Sequence, residues 1–176
     1  MASAAYPPAS ATETLPSPAK YYMAMSDDLG FLLARLNIQA VQTMQEMLHP
    51  LGLSARAYVV LRLAASDEPP FQRELAELLQ LDPSQVVTLV HKLEAKGLVS
   101  RTQTAADRRT NRIVATEAGR ALAKPAKAVI DMTLQRIFAP VPEDDLETMR
   151  RMFLNLLTAG TTVPATDPRT KGDPVA

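Results

Sequence analysis

The sequence predicts a mainly α protein with one small β-hairpin, and three observations predict it. Apolar residues recur at helical spacing over most of the chain from Ser26 to Leu157. One stretch, Leu98 to Ala115, departs from that period and places β-branched Val99, Ile113 and Val114 around a polar turn that ends in arginines. The helix just before it has both a strong start and a strong stop.

That helix spans residues 83–96 and organises the rest. Asp82 can cap it, Pro83 suits the first helical position, and Gln85 three residues after the Asp completes a capping-box pattern. Val86, Leu89, Val90 and Leu93 define the buried face, while Ser84, Gln85, Thr88, His91, Lys92 and Lys96 lie largely on the others. Gly97 stops it, because the position after a helix end often needs a positive φ. Two short strands follow, Leu98 to Arg101 and Arg112 to Ala115, joined by the polar run Thr102 to Arg109. Such a unit can meet a DNA duplex twice. The helix fits the major groove, and a tip arginine can enter the narrow, electronegative minor groove.

Composition narrows the function. The chain has 176 residues, 47% of them hydrophobic, enough for one domain with a core. It has no cysteine, which removes disulfides, thiolate metal sites and cysteine-based redox sensing together. Its two histidines, His49 and His91, fall on different elements, so no metal site is expected. No Ser-His-Asp arrangement or glycine-rich phosphate loop assembles, so neither an enzyme nor a cofactor is expected. The net charge of zero argues against a nucleic-acid partner, yet the distribution answers it: from His91 to Lys127 there are nine Lys or Arg against three acidic residues.

In chain order, residues 1 to about 20 are rich in Ala, Ser, Thr and Pro and are expected to be disordered. They do not read as a secretory signal, and no stretch is long enough to span a membrane, so a cytoplasmic protein is expected. Ser26-Asp27-Asp28 starts a helix to about Leu48, with Leu29, Leu32, Leu33, Leu36, Ala40, Met44 and Met47 on one face and Pro50 and Gly52 beyond its end. Ser54 caps a second, with Tyr58, Leu61 and Ala65 facing inward. Gln72 to Leu79 follows, starting at Gln72 where a better cap is usual, and pairs with helix 83–96 as a helix-turn-helix. Thr116 begins a long helix reaching about Phe138, with Pro125 inside it, which predicts a kink there or a break near Ala123. Glu143 to Leu157 is the last helix, acidic at its start and with Arg150 and Arg151 later, as the macrodipole favours. Residues 158–176 are again expected to be disordered.

The run from Ala76-Glu77 through Leu93-Glu94-Ala95-Lys96-Gly97-Leu98 to Arg101, then Asp107-Arg108-Arg109-Thr110-Asn111-Arg112 and Thr116-Glu117-Ala118-Gly119, resembles the MarR family of winged helix-turn-helix repressors. The resemblance spans roughly Leu29 to Leu157. That family has an Asp-x-Arg wing ahead of a strand and a Leu-Thr-x-x-Gly helix start; here Ala115 replaces the Leu. The resemblance implies a mainly α winged helix-turn-helix at residues 21–157, with a DNA-binding part at about 54–116 and N- and C-terminal dimerisation helices. It implies a homodimer on a pseudo-palindromic operator, and transcriptional regulation, most simply repression relieved by a small ligand. A winged-helix module that binds protein instead of DNA is the alternative, although it would have no need for Arg108, Arg109 and Arg112 beside Lys92 and Lys96.

Within that frame Ser84, Gln85, Thr88 and Lys92 are candidates for base edges or phosphates. Gln85 either pairs with adenine or merely completes the helix cap, and the sequence leaves both open. Family members often carry arginine where Thr88 stands, so the resemblance leaves room for a different operator preference here. The resemblance implies that Asp107 holds Arg109 by an ion pair and aims it at the minor groove; whether Arg108 or Arg109 enters is left open. The family also binds small phenolic or aromatic acids between the dimerisation helices and the winged domain, which makes Arg35, His49, Tyr58 and Arg62 candidates for a polar anchor. Met44, Met47, Met149 and Met152 either line such a pocket or simply pack.

Overall fold

A computed structural model describes residues 18–104 and 107–159, with the side chains of residues 103–110 outside that description. The elements are α1 (Ala19–Ala24), α2 (Leu29–Leu48), a single 3-10 turn (His49–Leu51), α3 (Ala55–Ala64), α4 (Gln72–Leu79), α5 (Pro83–Ala95), β1 (Val99–Thr104), β2 (Asp107–Ala115), α6 (Glu117–Ile137) and α7 (Glu143–Thr158). They make the mainly helical fold with a two-stranded wing that the sequence predicts. By packing, the chain divides into two units, residues 1–134 and 135–176.

Side-chain caps set the starts of α2 and α3. Asp28 Oδ1 accepts the Phe31 N–H at 2.8 Å, and Ser54 Oγ accepts the Ala57 N–H at 3.1 Å. α4 lacks such a cap and begins differently: the Phe71 N–H donates to Glu74 Oε2 at 2.7 Å, so a third-position glutamate reaches back. α5 uses the same reverse contact, with the Asp82 N–H donating to Gln85 Oε1 at 3.2 Å. α5 ends at Gly97, whose φ of 67° lets its own N–H reach the Glu94 carbonyl at 2.8 Å and the Leu98 N–H reach the Leu93 carbonyl at 3.0 Å.

The core of the first unit joins four helices to the wing. Leu48, Val60, Leu61, Ala64, Leu75, Val86, Val90 and Ile113 are fully buried in one cluster. β1 and β2 are antiparallel, with Val99 opposite Ala115 and Thr102 opposite Arg112. The segment before α4 adds to this sheet, since Phe71 forms a bridge with Arg112 and the Ile113 N–H donates to the Pro70 carbonyl at 2.9 Å. The start of α4 is thereby tied to the root of the wing.

A second tie joins the wing to α6. The Thr116 hydroxyl accepts the Gly119 N–H at 3.0 Å and donates to the Gly97 carbonyl at 2.6 Å, while the Thr116 N–H donates to the Leu98 carbonyl at 3.1 Å. One residue therefore caps α6 and fastens it to the end of α5.

Two expectations need correction. The break near Ala123 does not occur, and α6 runs unbroken through Pro125. Ala121, whose carbonyl loses its partner to the proline, is exposed, so water can satisfy that carbonyl. The short α1 opens at Ala19, close to the expected boundary; residues 1–17 and 160–176, where disorder is expected, lie outside the described residues. The strands are also longer than expected, reaching Thr104 and starting at Asp107.

The apolar face of α2 is only partly used within the chain. Leu48 is its one fully buried residue, whereas Leu29 is 78% and Leu33 56% exposed. In the second unit α7 buries no residue, and Met152, Phe153, Leu154, Leu156 and Leu157 are exposed. No described helix is long and apolar enough to cross a membrane.

Candidate nucleic-acid interface

α4 and α5 are joined by a turn whose pivot is Gln80, held at φ 51°. Its N–H reaches the Glu77 carbonyl at 3.3 Å, and the Leu81 N–H reaches the Ala76 carbonyl at 3.0 Å, so α4 closes tightly before Pro83 starts the next helix. Burial of Val86, Val90 and Leu93 then fixes which side of α5 faces outward. Ser84, Gln85, Thr88, His91 and Lys92 are all exposed on that side.

Two of these side chains already have partners. Gln85 Oε1 receives the Asp82 N–H, so the amide that would pair with adenine is engaged in the helix cap. The Thr88 hydroxyl donates to the Ser84 carbonyl at 3.0 Å, leaving its lone pairs for an outside donor. Val87, which sequence reasoning misses, is exposed on the same flank. Its signal is its position, off the stripe formed by Val86, Leu89, Val90 and Leu93.

Part of the basic stripe is structural. Arg101 pairs with Glu94 at 2.5 Å and with Gln72 Oε1 at 3.4 Å, and Lys96 donates to the Gly52 carbonyl at 2.6 Å. Arg112 donates to the Pro69 carbonyl and stands over the Phe71 ring. A charge count along the sequence treats all of these as available to a partner. Asp107, Arg108 and Arg109 begin β2, but their side chains, and with them the expected Asp107–Arg109 ion pair, lie outside the described residues.

The four anchor candidates are not gathered in one place. Arg35 stands on α2, where it donates to the Tyr22 hydroxyl at 3.1 Å. His49 follows the end of the same helix. Fourteen residues at the helical rise separate them by roughly 20 Å, too far for one small acid to meet both. Half-buried Tyr58 and exposed Arg62 stand one turn apart on α3 and share a face. A mostly apolar cleft of the first unit lies elsewhere, between Gly52, Ser54 and Ala57 and the Leu89, Leu93 and Lys96 side of α5. Among the described residues there is no cluster of three or more His, Cys, Asp or Glu of the kind that holds a metal.

A tight helix pair whose second member turns a polar, lysine-bearing face outward, followed by an arginine-bearing hairpin, defines a winged helix-turn-helix regulator that binds DNA. Residues 53–110 match the model of the MarR family. The chain is 32% identical over 136 residues to the HTH-type transcriptional repressor Rv2887 of Mycobacterium tuberculosis, covering 76% of this chain and 98% of that protein. It belongs to the MarR family. Among solved structures it resembles a MarR-family transcriptional regulator from Rhodococcus sp. RHA1 (40% identity, TM-score 0.72, 77% of this chain and 96% of that one). It also resembles CouR from Rhodococcus jostii RHA1 bound to p-coumaroyl-CoA (41%, TM-score 0.69, 76% and 94%). Rv2887 itself has been solved in complex with salicylic acid (31%, TM-score 0.61, 73% and 95%).

Proposed function

We propose that this regulator is a homodimeric repressor that holds a pseudo-palindromic operator and releases it when a small aromatic acid, free or as its CoA thioester, binds. The observation that carries the dimer is the apolar stripe of α2, where Leu29, Leu33, Leu36 and Met47 share one face and are exposed within one chain. An apolar stripe of that length is covered by a partner more often than left in water. α7 supplies a second such face. A two-fold pair of reading helices would then meet half-sites one DNA turn apart, ~34–36 Å. The ligand class is carried over from the named complexes of Rv2887 and CouR.

On this reading the DNA-binding part spans about residues 54–116. Ser84 and Thr88 face base edges, Gln85 stands beside them with its oxygen engaged in the helix cap, Lys92 meets phosphate, and Arg108 and Arg109 serve the minor groove with Asp107 orienting the wing. For the ligand, Tyr58 and Arg62 form the anchor, being one turn apart on α3. Release would require the ligand to favour a conformer whose reading helices miss the operator spacing.

The test is binding of the full chain to DNA from its own upstream region, with competitor DNA and a salt titration, alongside sedimentation equilibrium. Specific binding by a dimer, weakening steeply with salt and reversed by salicylate or p-coumaroyl-CoA, is expected. A monomer at micromolar concentration that binds every sequence equally would overturn it.

A further inference from the structure

α5 carries one apolar side chain in the middle of its outward, polar surface. Val87 is 44% exposed, while its neighbour Val86 and Val90 beyond it are fully buried. Counted along the helix, Ser84 lies three residues before it and His91 four after, so Val87 shares its patch with exposed polar residues. Single exposed apolar residues are ordinary on protein surfaces. What distinguishes this one is the state of the polar side chains around it. Gln85 Oε1 is held by the Asp82 N–H, and the Thr88 hydroxyl proton is held by the Ser84 carbonyl. Hydrogen-bond readout from the first turns of α5 is thus reduced, and an unencumbered isopropyl group remains.

In the major groove one base edge presents an apolar group, the C5-methyl of thymine. We propose that Val87 is a specificity-determining residue that reads a thymine methyl in the operator. This rests on α5 being the helix that enters the major groove. A valine in van der Waals contact with that methyl removes both from water and favours thymine over cytosine, which lacks the methyl. It also favours thymine over uracil, which differs by the methyl alone.

The experiment uses the full chain and duplexes it enriches from a random pool. Each thymine of the enriched duplex is replaced in turn by uracil, which leaves base pairing intact. Removal of one buried methyl predicts that the unaltered protein binds about four-fold more weakly at one position of the half-site and is nearly indifferent elsewhere. Val87→Ala should bind the thymine and uracil duplexes equally at that position, whereas Val87→Thr, which keeps a branch methyl, should retain the preference. Alanine favours helix more than valine, so the variant folds, and circular dichroism checks it. A duplex with no uracil-sensitive position, or a sensitivity that survives in Val87→Ala, overturns the proposal with the DNA reading intact. Failure to enrich any sequence overturns the reading role of α5 and the proposal with it.

Discussion

The guanidinium of Arg112 lies 4.3 Å from the centroid of the Phe71 ring, and its NH1 donates to the carbonyl of Pro69. Arg112 belongs to β2 and Phe71 immediately precedes α4, so this contact joins the wing to the first helix of the helix-turn-helix. The Phe71–Arg112 bridge and the bond from the Ile113 N–H to Pro70 run beside it. A residue that reads as positive charge for DNA therefore helps set the position of the hairpin against the reading unit.

Replacing Arg112 by alanine removes a cation–π contact, about 0.5–2 kcal/mol, and a charge-assisted hydrogen bond, about 1.5–3 kcal/mol before compensation by water. Arg112→Ala should lower the unfolding free energy by about 1–3 kcal/mol in urea titration, and Arg112→Lys should recover part of that. An unchanged midpoint would show that the contact carries no weight in solution.

Of the described glycines, Gly119 permits the closest approach. A Cβ built there would sit 1.9 Å from the Leu98 carbonyl oxygen, which is backbone and cannot rotate away. Gly119→Ala must therefore push α6 off the end of α5, against the Thr116 bonds that hold them together. Overpacking of well-filled sites costs about 1–3 kcal/mol, and a backbone obstacle puts this variant at the upper end or beyond. The expected result is a large fall in thermal midpoint or insoluble expression; a midpoint within a degree or two of the parent would refute the packing.

Gln80 is the one non-glycine residue with positive φ among the described residues. The left-handed conformation costs an ordinary residue about 1–2 kcal/mol, against about 0.5–1 kcal/mol of extra chain entropy for glycine. The exposed bond from Gln80 Nε2 to the Glu77 carbonyl at 2.7 Å offsets a little more. Gln80→Gly should come out stabilising by about 0.5 kcal/mol, read as a higher urea midpoint with the same slope. A lower midpoint would mean that the side-chain bond outweighs the strain.

These contacts mark where the sequence was legible. Asp28, Ser54, Pro83 and Gly97 act on backbone groups within four residues, so their effect is written locally, and those boundaries appear where the sequence puts them. The pairing of Phe71 with Arg112, and of Arg101 with Gln72, joins residues far apart in the chain, and the Arg101–Glu94 pair crosses from a strand to the end of a helix. No period or cap signals them, and so the positive charge reads as more available than it is. At Pro125 the local rule allowed a kink or a break; the helix does not break, and Ala121 one turn earlier is exposed, which makes the proline tolerable. α1 has neither a side-chain cap nor a buried residue, which leaves nothing for pattern reasoning to find.

Gln85 stands between two roles, and its contact with the Asp82 N–H separates them. A side chain whose carbonyl oxygen is held by its own helix start cannot freely offer oxygen and nitrogen together to adenine. Gln85→Ala should therefore cost stability, about 0.5–1 kcal/mol as for removal of a capping bond, and leave the base preference of the selected operator unchanged at every position. Sequence selection with the variant measures this. Disappearance of an adenine preference at one position would restore the reading role.

Lys92 differs from Lys96 and Arg101 in its surroundings. Lys96 is spent on the Gly52 carbonyl and Arg101 on Glu94, whereas Lys92 is exposed on the outward side of α5. A lysine that meets a DNA phosphate releases counterion on binding, so its removal changes how affinity responds to salt more than it changes which sequence is preferred. Lys92→Gln should weaken binding to all duplexes alike and reduce the slope of log affinity against log salt by about one for each phosphate left without its lysine. Lys96→Gln should leave the slope nearly untouched while loosening the tie between α5 and the turn at Gly52. Fluorescence anisotropy across a series of salt concentrations distinguishes them. Equal slope changes for the two variants would mean that the Lys96–Gly52 bond opens when DNA binds, and that both ammonium groups reach the backbone.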